Sequence, residues 1–165
     1  MVCLVAALLV TPPPPPTSDS IEPLTHASFK NRVLRPQLPA DKKKLWVVFF
    51  YADWCEKCPR LQPLFVELAG KFSHARRQFA SVDVARHEEV AREMGIDVSG
   101  FTKQLPTMAV FYNGLELRRM PAALPNKPGK FAGTSFEREG VLSHFWLDQS
   151  PLTIIKGLTK GTKEQ

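Results

Sequence analysis

The middle of the chain alternates between short apolar runs and segments in which apolar residues recur at helical spacing. The unbroken apolar run Leu45–Tyr51 predicts a strand that is buried on both faces of a sheet. Residues 61–72 predict an amphipathic helix, because their apolar side chains fall on one face. Residues 79–84 predict another strand, and residues 88–94 predict a short helix that ends at Gly95.

Shorter signals lie on the N-terminal side of these elements. Residues 21–24 predict a short strand. Residues 25–34 predict a helix that begins near a threonine cap, with Phe29 and Val33 four positions apart on one face.

The second half of the chain contains the pattern of a β-hairpin. Residues 108–111 and 115–118 predict two strands, and Asn113-Gly114 predicts the tight turn between them. Pro106 stands at the start of the first strand, where the missing amide donor interrupts no inner hydrogen bond of a sheet. Residues 121–133 are rich in proline, glycine and lysine and predict a loop.

A last helix is predicted after this loop. Thr134 and Glu137 have the three-residue spacing of a capping box, which predicts that the helix begins there. We expect Phe136, Val141 and Phe145 to dock this helix onto the sheet.

Two cysteines directly follow the strand predicted for Leu45–Tyr51. Cys55 and Cys58 are one helical turn apart, at the point where that strand ends and the amphipathic helix begins. A helix start offers unpaired N–H groups and a positive dipole end, which favour the thiolate form of the first cysteine. Cys55 is therefore the candidate nucleophile. Cys58 is the candidate resolving thiol, which attacks a mixed disulfide formed by Cys55.

Two other interpretations of the cysteine pair are weaker. A zinc site needs four ligands, usually with a second cysteine pair or a close histidine pair, but only Cys3 remains and the histidines are scattered. A purely structural pair is disfavoured by Glu56 and Lys57, charged residues between the cysteines that prefer water. We therefore favour redox chemistry and expect no metal.

Several motifs together resemble the thioredoxin family. They are residues 49–55 (Phe-Phe-Tyr-Ala-Asp-Trp-Cys), the second cysteine Cys58, the helix proline Pro63, and residues 105–107 (Leu-Pro-Thr) before a strand. The resemblance spans residues 21–147. It implies an α/β thioredoxin fold, with a central mixed β-sheet flanked by helices and a cis proline packed against the dithiol.

The same resemblance implies where a client protein binds. In thioredoxin domains the backbone beside the cis proline receives the client as an extra strand, a form of β-augmentation. Thr107 would then lie next to Cys55, and Trp54 would shield the dithiol and offer the client an apolar contact. The expected substrate-binding residues are Trp54, Pro106 and Thr107, and the expected catalytic residues are Cys55 and Cys58.

Finer features resemble the thioredoxin-related transmembrane protein 2 branch of that family. They include residues 102–107 (Thr-Lys-Gln-Leu-Pro-Thr), the pair Arg118-Arg119 followed by Pro121, and the long stretch between Gly95 and Pro106. This resemblance implies a thioredoxin-like domain that follows transmembrane helices, and a location in the endoplasmic reticulum membrane.

The sequence departs from these patterns at two points. Members of that branch commonly keep only the second cysteine, whereas this chain has both Cys55 and Cys58. Phe49 stands where thioredoxins carry a buried aspartate that helps to take the proton from the resolving thiol. Water can accept that proton, at the expense of speed. Asp83 is the remaining acidic candidate, although its position is more typical of a strand end or a cap.

Length and composition predict one domain with two flanking segments. A chain of 165 residues with 44% hydrophobic residues can bury one sizeable core. We assign residues 21–148 to the thioredoxin-like domain, residues 1–20 to an N-terminal arm, and residues 149–165 to a basic C-terminal tail.

The N-terminal arm combines an apolar run with a proline-rich stretch. The run at residues 2–10 reaches only about 13.5 Å as a helix, whereas a membrane core is about 30 Å thick, so it does not form a full transmembrane helix. The five consecutive prolines favour an extended spacer. By the resemblance, we interpret the arm as a remnant of a membrane-anchor region and expect membrane attachment through a segment absent from this chain.

The positive charge of the chain does not indicate nucleic-acid binding. The net charge is +6 and the isoelectric point is about 9.4, but the basic residues form small, separated groups. Neither a groove-binding motif nor interleaved aromatic residues accompany them. We expect a solvated basic surface and no nucleic-acid partner.

These observations predict a thiol-disulfide oxidoreductase that acts on protein thiols and disulfides without a metal or organic cofactor. By the resemblance, it acts in redox homeostasis or protein folding in the endoplasmic reticulum. The alternative hypothesis is a redox-poor binding module, whose groove beside Pro106 recognises client or regulatory proteins.

Overall fold

The structure is a computed structural model that describes residues 19–161. The predictions for the apolar run, the prolines and Cys3 concern residues outside this range, as does the end of the predicted tail.

The described residues form seven strands and six α-helices, and their order alternates over most of the chain. In chain order they are β1 (Ile21–Pro23), α1 (His26–Phe29) with a π-helical turn (Lys30–Leu34), α2 (Pro39–Lys42), β2 (Leu45–Tyr51), α3 (Lys57–Phe72), β3 (Arg77–Asp83), α4 (Glu88–Met94), β4 (Thr107–Tyr112), β5 (Leu115–Met120), β6 (Ala122–Ala123), β7 (Phe131–Ala132), α5 (Arg138–His144) and α6 (Pro151–Gly161).

Five of these strands form one mixed sheet in the order β1-β3-β2-β4-β5. Strand β3 runs parallel to β1 and β2, whereas β4 is antiparallel to both β2 and β5. Strand β2 is thus the central strand, and its carboxyl end carries the segment with the two cysteines. The expectation of a mixed sheet flanked by helices is confirmed.

The sheet is covered on both faces, which explains the unbroken apolar character of β2. Alternate side chains of this strand enter two different cores. Trp46, Val48 and Phe50 pack with α1 and α4 on one face. Leu45, Val47 and Phe49 pack with α3, α5 and α6 on the other. A strand buried on both faces has no position where a polar side chain is favourable.

The predicted β-hairpin is confirmed as β4 and β5. Asn113 and Gly114 both have positive φ, at 48° and 82°, which the two-residue turn of a twisted hairpin requires. A Cβ atom on Gly114 would lie 2.4 Å from the carbonyl oxygen of Leu34. The hairpin tip is therefore held close to the π-helical turn.

Two predictions on the C-terminal side of the hairpin are wrong. The segment expected to be only a loop contains the short antiparallel pair β6 and β7. The expected capping box at Thr134 is absent, since α5 begins one residue after Glu137, and no side chain caps its N-terminus. The expected docking is nevertheless observed: Val141 and Phe145 are buried, and Phe136 packs against them.

The boundary predicted at residue 148 also needs correction. Helix α6 occupies most of the segment assigned to a basic tail, and its Ile154 and Ile155 are buried in the core beneath α3. Pro151, Ile154, Ile155 and Leu158 follow the i, i+3, i+4, i+7 spacing of an amphipathic helix. Its apolar face stabilises the domain, so the domain includes this helix.

Arg77 connects the sheet to this C-terminal segment. Its side chain is buried, and its guanidinium group donates hydrogen bonds to the carbonyl oxygens of Trp146, Leu147 and Gln149. These bonds satisfy a cation that would be costly to bury alone.

Candidate functional site

The two cysteines lie in a tight turn between β2 and α3. The amide nitrogen of Cys55 is 3.2 Å from the carbonyl oxygen of Ala52, and the amide nitrogen of Cys58 is 3.1 Å from the carbonyl oxygen of Cys55. Helix α3 begins at Lys57, so Cys58 lies in its first turn and Cys55 lies just before it. The backbone therefore brings the thiols together at the start of a helix, as the sequence predicts.

The two thiols are both free, but they differ in access to solvent. Cys55 is 8% exposed and Cys58 is 2% exposed. Cys55 is therefore the slightly more accessible of the two thiols, although both cysteines belong to the apolar core on the α1 side of the sheet.

Cys58 is held in its neutral form. Burial raises the pKa of this thiol, and its hydrogen bond with the Cys55 side chain and the negative charge of Asp83 raise it further. A hydrogen bond with the backbone of Ala52 opposes these effects only in part. The resolving thiol must therefore lose its proton in surroundings that favour the protonated form.

Asp83 lies at the end of β3, directly across from Tyr51 in the register of the sheet. Its carboxylate accepts hydrogen bonds from the amides of Ala85 and Arg86, at 3.0 and 3.2 Å, and pairs with the Arg86 side chain at 3.2 Å. These contacts confirm the interpretation of Asp83 as a strand-end residue, whose carboxylate closes the turn that follows β3. Burial raises the pKa of Tyr51, and the charge of Asp83 adds to this effect.

Phe49 is fully integrated into the apolar core on the α3 side. Its ring stacks on Phe65 with a centroid distance of 5.0 Å and on Tyr51 at 5.9 Å. Phe49, which stands where thioredoxins carry a buried aspartate, thus supplies no proton acceptor for Cys58.

A groove lies beside the dithiol. It has a volume of about 330 Å³ and contains Pro106, whose peptide bond with Leu105 is cis as the resemblance implies. We call this cavity the Pro106 groove. Its lining residues are Lys57, Arg60, Leu61, Lys103, Leu105, Pro106, Pro121, Thr134 and Phe136. Lys57, which stands between the two cysteines in the sequence, lines the groove, whereas Cys55 and Cys58 themselves do not.

Only one of the three predicted substrate-binding residues lines this groove. Pro106 does so, whereas Trp54 is 43% exposed beside Cys55 and lies outside the lining. Thr107 is buried, and its hydroxyl group donates to the carbonyl oxygen of Gln104. Thr107 lines a separate cavity of about 530 Å³, which also contains Arg118 and His144.

Three residues of the groove lining carry a positive charge, namely Lys57, Arg60 and Lys103. None of them is predicted from the sequence as a site residue. Lys57 and Arg60 are three positions apart at the start of α3, which places them on one side of a helix. Lys103 lies three positions before Pro106. The helical spacing of Lys57 and Arg60 is a local signal for these two residues, whereas Lys103 joins them only through the fold.

Neither a metal centre nor a membrane span is found in residues 19–161. Across this range, no three side chains of His, Cys, Asp or Glu come together as metal ligands. None of the helices in the same range has the length and apolar character needed to cross a membrane.

Comparison with known proteins identifies the relatives of the chain. The thioredoxin family model matches residues 20–128. Thioredoxin-related transmembrane protein 2 of Xenopus tropicalis is 33% identical over 121 residues, which cover 73% of this chain and 42% of that protein. The homologue in Drosophila melanogaster is 31% identical over 137 residues, which cover 82% of this chain and 50% of the relative.

A solved structure supports the fold. The crystal structure of a thioredoxin from Malassezia sympodialis matches with a TM-score of 0.51 and 22% identity, and covers 76% of this chain and 91% of that one. The thioredoxin fold and the resemblance to the transmembrane branch are thus confirmed. The chain spans about half the length of these curated relatives or less.

Proposed function

The chain belongs to the thioredoxin family, and on that basis we propose that it is a thiol-disulfide oxidoreductase that acts on protein clients through Cys55 and Cys58. One observation carries this proposal. Two free thiols share a turn beside a groove, and the more accessible thiol precedes the more buried one. This asymmetry suits a nucleophile and a resolving thiol.

The reaction transfers two electrons in two exchange steps. The Cys55 thiolate attacks one sulfur of a client disulfide, the client S–S bond breaks, and the other client sulfur leaves as a thiolate that takes up a proton. Cys58 then loses its proton and attacks the Cys55 sulfur. The client sulfur leaves as the second thiol, and Cys55 and Cys58 form a disulfide. Client oxidation follows the same steps in reverse.

The surroundings of Cys58 determine the speed of the second step. A raised pKa keeps the thiolate fraction of Cys58 small near neutral pH. Phe49 offers no proton acceptor, and the carboxylate of Asp83 is occupied by two amides and Arg86. We therefore assign the proton to water and expect mixed disulfides that persist longer than in an enzyme with a buried acid.

The relatives suggest a location for this activity. They are named transmembrane proteins. From the resemblance of the sequence motifs to that branch, we further propose that the domain acts at the endoplasmic reticulum membrane, in redox homeostasis or protein folding. No metal or organic cofactor takes part in the proposed reaction.

The protonated and buried Cys58 also favours a second candidate function. In a redox-poor binding module, the Pro106 groove would recognise client or regulatory proteins while the dithiol turns over too slowly to matter. The two functions share the groove and differ in whether electrons are transferred.

An insulin-reduction assay on the full chain separates the two functions. We expect turnover by the unaltered protein, none by Cys55→Ser, and accumulation of mixed disulfides with Cys58→Ser. Cys3→Ser is the matched control and should retain the full rate. Turnover by the unaltered protein that is no faster than that of Cys55→Ser would establish the binding module instead.

A further inference from the structure

The cations of the Pro106 groove come from two different parts of the fold. Lys57 and Arg60 come from the first turns of α3, and Lys103 comes from the loop that leads to Pro106. All three residues are exposed. A segment that lies across Pro106 therefore meets positive charge from both the helix and the loop.

The charges in this groove are not neutralised within the described part of the chain. Over residues 19–161, Lys57, Arg60 and Lys103 take part in none of the ion pairs, and the groove lining contains no aspartate or glutamate. Arg86, Arg119 and Arg138, in contrast, each pair with a carboxylate of the domain. The groove cations thus keep their charge available to a bound molecule.

The groove also has an apolar component. Leu61 and Leu105 are buried, and the rings of Pro106, Pro121 and Phe136 complete the wall. Such a surface favours an apolar side chain at the centre of the bound segment, with acidic side chains around it. A free anion would use the charges but not the apolar wall.

From these observations, we infer that the Pro106 groove selects client segments that carry aspartate or glutamate on either side of their reactive cysteine. The inference rests on the proposed function, because it names the clients of the same site. Lys57 and Arg60 bind the acidic residues on one side of the client, and Lys103 binds those on the other.

The expected selectivity is moderate and sensitive to salt. An ion pair between exposed groups changes an equilibrium constant by about 1.5-fold to fivefold, so two or three pairs give a preference of about tenfold. An ionic strength near 1 M shortens the Debye length to about 3 Å, and this screening should remove most of the preference.

Binding is measured with short fluorescent peptides of one sequence, in which a central serine replaces the cysteine and the flanking residues are all Glu, all Gln or all Lys. We expect the full chain to bind the Glu peptide about tenfold more tightly than the Gln peptide, and the Lys peptide most weakly. In the triple variant Lys57→Gln, Arg60→Gln and Lys103→Gln, the Glu-to-Gln ratio should fall to near one.

A matched variant controls for the positive charge of the whole chain. Lys42→Gln, Lys43→Gln and Arg76→Gln remove the same charge from exposed positions outside the groove lining. This variant should keep the tenfold ratio. Equal binding of the three peptides by the unaltered chain, or an equal loss of selectivity in both triple variants, would overturn the inference.

A second measurement separates this inference from the proposed function. The corresponding cysteine peptides, each capped as a thiopyridyl disulfide, are mixed with the reduced chain, and release of the peptide thiol is followed. Turnover above that of Cys55→Ser with no preference for the Glu peptide in binding or rate retains the oxidoreductase and rejects the acidic client. Selective binding without turnover rejects the oxidoreductase and retains the acidic partner.

Discussion

The amide nitrogen of Cys58 donates a hydrogen bond to the carbonyl oxygen of Cys55, over 3.1 Å. This backbone hydrogen bond thus holds the two cysteines close together before a disulfide forms between their sulfur atoms. Cys55 is 8% exposed and Cys58 is 2% exposed, so the two exchange steps should respond differently to pH and to substitution.

Resolution of a mixed disulfide by Cys58 should accelerate with pH. The pKa of Cys58 is raised, mainly by burial, so its thiolate fraction should rise about tenfold per pH unit between pH 7 and pH 9. The rate of peptide-thiol release from a preformed Cys55 mixed disulfide, followed at a series of pH values, measures this. A rate that is already constant below pH 8 would contradict a raised pKa.

Asp83→Asn should make the same step several-fold faster at pH 8. The negative charge of Asp83 contributes to the raised pKa of Cys58, and the asparagine oxygen can still cap the amides of Ala85 and Arg86. Glu88→Gln, an exposed change at the start of α4, is the control and should leave the rate unchanged. Slower resolution in Asp83→Asn would instead identify Asp83 as the proton acceptor.

Phe49→Asp should destabilise the domain rather than improve its catalysis. Phe49 is 2% exposed and stacks on Phe65, so the change loses a buried ring and places a carboxylate in an apolar core. We expect a loss of about 4 kcal/mol or more in the free energy of unfolding, against less than about 1.5 kcal/mol for Phe49→Leu. Urea denaturation measures both, and similar midpoints for the two variants would refute this account.

Ile155→Ala tests whether α6 belongs to the domain. Ile155 is 9% exposed and packs in the core shared with α3, whereas Leu152 on the same helix is 42% exposed. The expected loss of unfolding free energy is about 2–4 kcal/mol for Ile155→Ala and about 0.5 kcal/mol for Leu152→Ala. Equal, small effects in thermal denaturation would restore the interpretation of this segment as a tail.

Gly114→Ala should destabilise the hairpin tip. Gly114 has a φ of 82°, and a Cβ atom there would collide with the carbonyl oxygen of Leu34. The expected loss is about 1–3 kcal/mol. Gly100→Ala, where a Cβ atom meets nothing within 4 Å, is the control and should be close to neutral. A stability of Gly114→Ala equal to that of the control would show that the tip can move away.

The central elements could be predicted from the sequence because local pattern and tertiary environment agree there. Strand β2 is apolar at every position and lies between two cores. Asn113 and Gly114 readily adopt the positive φ angles that the hairpin turn requires. Helix α6 was not predicted because its lysines suggest a solvated segment, although Pro151, Ile154, Ile155 and Leu158 have helical spacing.

The candidate site was only partly predictable. Local sequence gives the dithiol, and the family resemblance implies the cis proline, but neither shows which distant side chains meet beside them. The family resemblance implies that Trp54 shields the dithiol and contacts the client, yet Trp54 lies outside the lining of the Pro106 groove. Lys103 enters the groove because the loop before Pro106 returns to α3, a long-range relationship that no short motif encodes.

The bonds of Arg77 have a consequence for the way this protein is made. Arg77 is synthesised before the middle of the chain, but its guanidinium group is satisfied by carbonyl oxygens at residues 146, 147 and 149. Until those residues are synthesised, the guanidinium group either stays hydrated or lies against apolar side chains without hydrogen-bond acceptors. Arg77 therefore gains these hydrogen bonds only after residues 146–149 have left the ribosome, and a product that stops before residue 146 leaves this charge without them.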